Sequence, residues 1–159
     1  MRYLVFLLAV ILPLPAAASA CYDSEQAAAE AAIRIHSEIM VTALTCQYSQ
    51  TTGDDLRNVY VAFGQKHNER LRRAEQSIIG YYQKKQGRGV AELDRLRTIL
   101  GNEYAERIAA KDPLSYCKMA ADSVVAAGQW TPAQFEQAIL RAAASSSATE
   151  PLCTQVAKY

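Results

Sequence analysis

Apolar side chains recur at spacings of three and four along most of the chain, and no window alternates apolar with polar residues long enough to predict a sheet. The first such stripe runs Ala28, Ala32, Ile35, Ile39, Thr42 and Cys46. It predicts a helix from Asp23 or Ser24, with Asp23 and Gln26 placed to form a capping box. The early turns are mostly alanine, which favours helix and lets a neighbour approach closely. A polar stretch from Gln47 to Gly53 ends that helix, and Asp54 and Asp55 place carboxylates at the next set of free amides. From there Leu56, Val59, Tyr60, Phe63, His67, Leu71, Ala74, Ile78 and Tyr81 keep one phase. They predict a single helix from 54 to 86, about 50 Å long at 1.5 Å per residue, which would protrude, bend near Gly64 or Gly80, or serve a partner.

Gly87, Arg88 and Gly89 make the following turn, and Val90, Leu93, Leu96, Leu100, Tyr104 and Ile108 mark a third helix that Lys111 ends. Asp112 and Pro113 open a fourth, because proline at the first helical position forfeits no hydrogen bond; Gly128 closes it. Thr131, Pro132 and Gln134 give the best local start signal in the chain, a capped first turn with its box closed, followed by Phe135, Ala138, Ile139 and Ala142. The expected fold is all-α, a bundle of four or five helices with one long helix, forming a single domain over residues 21–159.

The first 20 residues have a different character. Arg2 is followed by an apolar run from Tyr3 to Leu12, then Pro13-Leu14-Pro15 and the small residues Ala16 to Ala20. That order is a secretory signal with an Ala-x-Ala site before Cys21. The run is too short for a hydrocarbon core, which needs roughly 20 residues, and no later segment is long and apolar enough to span one. A cysteine directly after the cut also resembles a bacterial lipoprotein junction, which implies acylation of Cys21; such junctions carry Leu where this chain has Ala18. Localisation is therefore expected in a periplasm or outside the cell, with a lipid anchor at Cys21 as the minority reading.

Cys21, Cys46, Cys117 and Cys153 are the four cysteines. An even number in an exported chain predicts two disulfides, whereas lipidation would leave three thiols. A helix over 24–46 holds Cys21 and Cys46 about 35 Å apart, far beyond the roughly 7 Å that a bridge allows between alpha carbons. If consecutive helices run up, down and up, the fourth starts where the first ends. The simple solution is then Cys46 with Cys117 and Cys21 with Cys153, the crossed arrangement being the other pairing that helix length leaves open.

Charge narrows the partners. Arg2 is the only charged side chain of residues 1–20, and without it the chain carries 16 basic and 16 acidic groups. Such a balance argues against nucleic acid, whose binding rests on phosphate neutralisation. The two histidines, His36 and His67, are candidate buried polar groups. His36 and Met40, with Met119, are soft ligands too few to specify a metal site, so no metal or cofactor is expected, and a periplasmic metal binder stays an alternative. His67 lies in the apolar stripe, where it needs a hydrogen-bonding partner or serves as a titrating group. Carboxylates such as Glu25, Glu30, Glu38 and Glu69 read as solvated faces, many with a basic neighbour three or four residues away. The chain has no Gly-x-Ser-x-Gly elbow, no His-Glu-x-x-His helix and no Cys-x-x-Cys-His haem attachment. Secreted phospholipases of similar build carry adjacent cysteines before a His-Asp pair, which this chain lacks.

The remaining feature is a basic cluster with tyrosines among it: Arg70, Arg72, Arg73, Tyr81, Tyr82, Lys84, Lys85 and Arg88. Arginine and tyrosine are enriched at recognition surfaces. The expectation is a non-enzymatic interaction module of the cell envelope that uses this surface on a protein partner, with a homodimer compatible with so long an amphipathic helix. The alternative is a small enzyme or ligand binder whose pocket lies between helices near His36 or His67.

Overall fold

A computed structural model describes residues 21–48, 55–145 and 148–153. Residues 1–20, on which the signal reading falls, lie outside the described residues; Cys21, where the minority reading puts a lipid anchor, is described, and its sulfur is joined to Cys153, which leaves no thiol there to acylate. Six helices follow in order: α1 (Ser24–Cys46), α2 (Leu56–Lys66), α3 (Asn68–Gln86), α4 (Gly89–Ala109), α5 (Pro113–Gly128) and α6 (Pro132–Ser145). The fold is all-α with two disulfides.

The expected bundle of four or five helices with one long helix is corrected in two respects. Six helices are present among the described residues, and none stands out by length, α1 having 23 residues, α4 21 and α3 19. The helix expected over 54–86 is divided at His67, whose backbone leaves helical geometry at φ −105° and ψ 10°. Ladder bonds flank the break, from His67 N–H to Phe63 O and from Leu71 N–H to His67 O, both 3.0 Å. The break redirects the chain: α2 packs on α1 and α5, whereas α3 packs on α1 and α4. A straight rod could not follow both sides of the same central helix.

That central helix is α1, which touches all five others. Residues Ala27 through Ile33 are buried without interruption, and the small alanines allow neighbours on every side. Its start is fixed by the capping box, with Asp23 Oδ1 accepting from Gln26 N–H and Gln26 Oε1 accepting from Asp23 N–H. Asp112 caps α5 by accepting from Ser115 N–H at 2.8 Å, and Thr131 and Gln134 form the reciprocal pair at α6. Gly87, at φ 70°, adopts the left-handed conformation that ends α3.

Close approach explains two other glycines. A Cβ at Gly89 would fall inside van der Waals contact of the Ile79 carbonyl oxygen, and one at Gly128 would strike Val59. The second contact lets α2 and α5 lie together, with Lys66 Nζ donating to Gly128 O at 2.7 Å.

The bridges sit at opposite ends of α1. Cys46–Cys117 joins its C-terminus to α5, with alpha carbons 5.4 Å apart, and Cys21–Cys153 joins the residues before its N-terminus to the C-terminal segment, at 4.9 Å. Residues 148–153 form a strap there. Tyr22 N–H donates to Pro151 O at 2.8 Å, and Cys153 N–H donates to Tyr22 O at 2.9 Å. Beneath the strap lies Glu30, 1% exposed. Its carboxylate accepts from Arg34 Nη2 and from the Thr149 backbone N–H, each at 3.0 Å, and also from the Thr149 hydroxyl. The solvated-face reading of Glu30 is thereby corrected, because a helix surrounded by all the others has no solvated face at that turn. No described helix is long and apolar enough to cross a membrane.

Candidate functional site

Two helical stripes leave a gap where α1 faces α5. On α1, Ile35, Glu38, Ile39 and Thr42 follow spacings of three and four; on α5, Tyr116, Met119, Ala120, Ser123, Val124 and Ala127 do the same. Between them is an open cleft of about 400 Å³, to which Trp130 and Lys111 also contribute. A drug-sized ligand site typically occupies roughly 300–1,000 Å³, with an apolar lining and a few placed polar groups. The cleft has that composition.

Its end nearest the Cys46–Cys117 bridge is held by a 3.0 Å hydrogen bond between Thr42 Oγ1 and Tyr116 Oη. Its other end reaches Trp130, whose ring belongs to an aromatic group with Phe63 and Phe135, at centroid distances of 6.4 and 6.5 Å. Small residues on α5, Ala120 and Ala127, leave the trough open; larger ones would fill it. Met119 projects from α5 at 61% exposure, a flexible apolar side chain at the rim.

Two charged residues border the cleft. Glu38 retains solvent contact, yet the surrounding helices push its carboxyl above the usual carboxylate range, against the pull of Arg107 and Arg34. Lys111 lies in the connection between α4 and α5 and has no carboxylate partner among the described residues. Most arginines differ from it in this respect. Arg34 pairs with Glu30 and Glu103, Arg97 with Glu75 and Asp94, and Arg107 with Glu103.

The basic and aromatic residues singled out in the sequence are dispersed. Tyr81 and Tyr82 are buried at 6% exposure each and are not on the surface. Tyr22 meets Tyr81 edge to face with centroids 4.7 Å apart, and Tyr82 Oη donates to Glu150 Oε1 at 3.2 Å. Lys85 is drawn inward by Glu150, with Nζ 2.7 Å from Oε2. Arg70 pairs with Glu136 of α6, and Arg72 and Arg73 pair with Glu69. Lys84 and Arg88 remain exposed without a carboxylate partner among the described residues.

His67 is buried and His36 is half-buried. His67 is sandwiched between Phe63 and Phe135, each ring centroid 4.6 Å from its own. Burial first, then Lys66, hold its pKa below the ordinary histidine value, the Trp130 backbone acting in the opposite sense. Its Nε2 is buried without a hydrogen-bonding partner among the described residues, as suits a neutral ring that carries its proton on the other nitrogen. His36 lies against Tyr60 and Phe63, at 5.4 and 6.4 Å, and is also pulled down by burial. Neither histidine lines the cleft, although Ile35 beside His36 and Trp130 above His67's aromatic neighbours both do. No group of three or more His, Cys, Asp or Glu side chains that could hold a metal ion occurs among the described residues.

The sequence contained the two faces of the cleft but no sign of the gap between them. Comparison with protein-family models, with curated proteins and with solved structures gives no match for this chain.

Proposed function

We propose that this chain is an exported binding protein of the cell envelope, a disulfide-stapled helical scaffold whose binding site is the α1/α5 cleft. The observation that carries the reading is the cleft itself: about 400 Å³, floored by aliphatic side chains and bordered by a few polar groups. Apolar surface of this kind favours an apolar ligand through the roughly 25 cal/mol per Å² gained when it is removed from water. Export is supported by the order of residues 1–20, basic, apolar, proline-broken and small. Two bridges among four cysteines suit the oxidising compartment to which such a segment leads. The basic surface is a weaker candidate, because internal carboxylates neutralise much of it and its tyrosines are buried.

The test uses the full chain expressed with residues 1–20 in place and purified oxidised. Trp130, the single tryptophan, is the energy donor to a neutral apolar fluorophore, N-phenyl-1-naphthylamine. Saturable one-to-one transfer is expected, lost in Ser123→Phe and in Ala120→Leu while circular dichroism stays unchanged. Equal transfer in folded variants overturns the reading.

A further inference from the structure

The two helices bordering the cleft run alongside one another in opposite directions. The end of α1 is joined to the start of α5 by Cys46–Cys117 and by Thr42 with Tyr116, and Ile35, earlier on α1, lines the same cleft as Val124 and Ala127, later on α5. The stretch of α5 from Tyr116 to Ala127 gives the trough a length of about 16 Å at 1.5 Å per residue. A zigzag of carbon–carbon bonds of about 1.5 Å spans that length with about a dozen carbons. A trough of this shape, lined by Ile39, Ala120 and Val124 and flanked by the Trp130 ring, matches one unbranched apolar chain better than a compact solute.

Charge at the border then discriminates among head groups. Lys111 supplies an ammonium that no carboxylate neutralises among the described residues. Glu38 is the acidic residue of the lining, but Arg34 and Arg107 act on it electrostatically and burial works against its charged form. A cationic head placed at Lys111 would meet an unpaired like charge. An anionic head at Lys111 would meet an ammonium that no carboxylate occupies among the described residues, in a cleft whose one acidic lining residue, Glu38, is disfavoured in its charged form by burial.

Resting on the reading of the cleft as the binding site, we infer that its ligand is a free single-chain amphiphile with a carboxylate head, the tail lying along α1 and α5 and the head at Lys111. The aliphatic lining selects chain length, because each methylene removed from water adds about 0.8 kcal/mol, and Lys111 selects the charge.

Trp130 emission reports binding in the test. The oxidised full chain is titrated separately with sodium dodecanoate, dodecyltrimethylammonium and dodecanol, each below the concentration at which it aggregates, and with anionic phospholipid vesicles. Dodecanoate is expected to saturate at one per chain and to bind at least tenfold more tightly than the trimethylammonium compound. Lys111→Gln should remove that preference and Lys111→Arg keep it. Equal binding of all three amphiphiles overturns the carboxylate assignment while leaving the cleft as a binding site. Absence of binding by any amphiphile overturns both, and a response to vesicles alone assigns the surface to a bilayer and overturns the free-ligand inference.

Discussion

Removing the Cys46–Cys117 bridge should lower stability by about 4 kcal/mol. The bridge closes a sequence separation of 71 residues, and the chain-entropy relation, −2.1 − 1.5R ln n cal/mol/K, converts that loop to about 4.4 kcal/mol at 25 °C. The outer bridge spans 132 residues. With the inner one closed its effective loop shortens to roughly 60 residues, so its own removal costs about 4 kcal/mol rather than the 5 expected of it alone. In a domain of this size each kcal/mol shifts the melting temperature by about 3–4 °C, so either double variant, Cys46→Ala with Cys117→Ala or Cys21→Ala with Cys153→Ala, should melt about 15 °C lower. The two should separate by function. Loss of the inner bridge frees one end of the cleft and weakens probe binding, whereas loss of the outer one releases the strap at the opposite end of α1 and leaves binding intact. Thermal unfolding by far-ultraviolet circular dichroism, with intact mass verifying the surviving bridge, measures the stability effect. A double variant that melts within 4 °C of the parent would refute the loop-entropy reasoning.

Gly89→Ala should destabilise by about 1–3 kcal/mol in urea unfolding, since the new methyl meets the rigid Ile79 carbonyl; Gly80→Ala, in open space within α3, should instead stabilise by about 0.5–1 kcal/mol. Glu30→Ala should cost about 1–3 kcal/mol, because it leaves the Thr149 amide without its acceptor and the half-buried Arg34 with Glu103 alone. It should also raise amide exchange in residues 148–153. Stability should fall as pH drops below about 6.5, the ordinary histidine value, because burial lowers the pKa of both His36 and His67 and the unfolded chain takes up protons first. Glu38, raised by burial, opposes this trend at lower pH. His67→Gln should flatten the slope of urea midpoint against pH between 5 and 7, and an unchanged slope would contradict the assignment.

Much of the helical order is legible in local chemistry. Asp23 with Gln26, Asp112 with Pro113, and Thr131 with Gln134 each place a cap where a helix starts, because these bonds join neighbours in sequence. The division at His67 leaves no such mark. Phe63, His67 and Leu71 stay in phase, and the backbone bonds joining them persist across the change of direction. Glu30 and Tyr82 were hidden for another reason: each is covered by the segment 148–153, more than sixty residues away, and periodicity on one helix carries no information about what lies across it. The candidate site belongs to the same class. Ile39 and Val124 are recognisable as apolar positions, but the unfilled space between them depends on the separation of α1 and α5 and on the small size of Ala120 and Ala127.

The most direct measurement is a chemical-shift map of the oxidised protein with the isoleucine and valine methyls and the Trp130 indole labelled, recorded during titration with dodecanoate. Shifts should concentrate at Ile35, Ile39, Val124 and Trp130, while Ile78 and Ile139, buried away from the cleft, stay in place. Saturable shifts centred on any other face, or none at ligand concentrations below aggregation, would contradict the account.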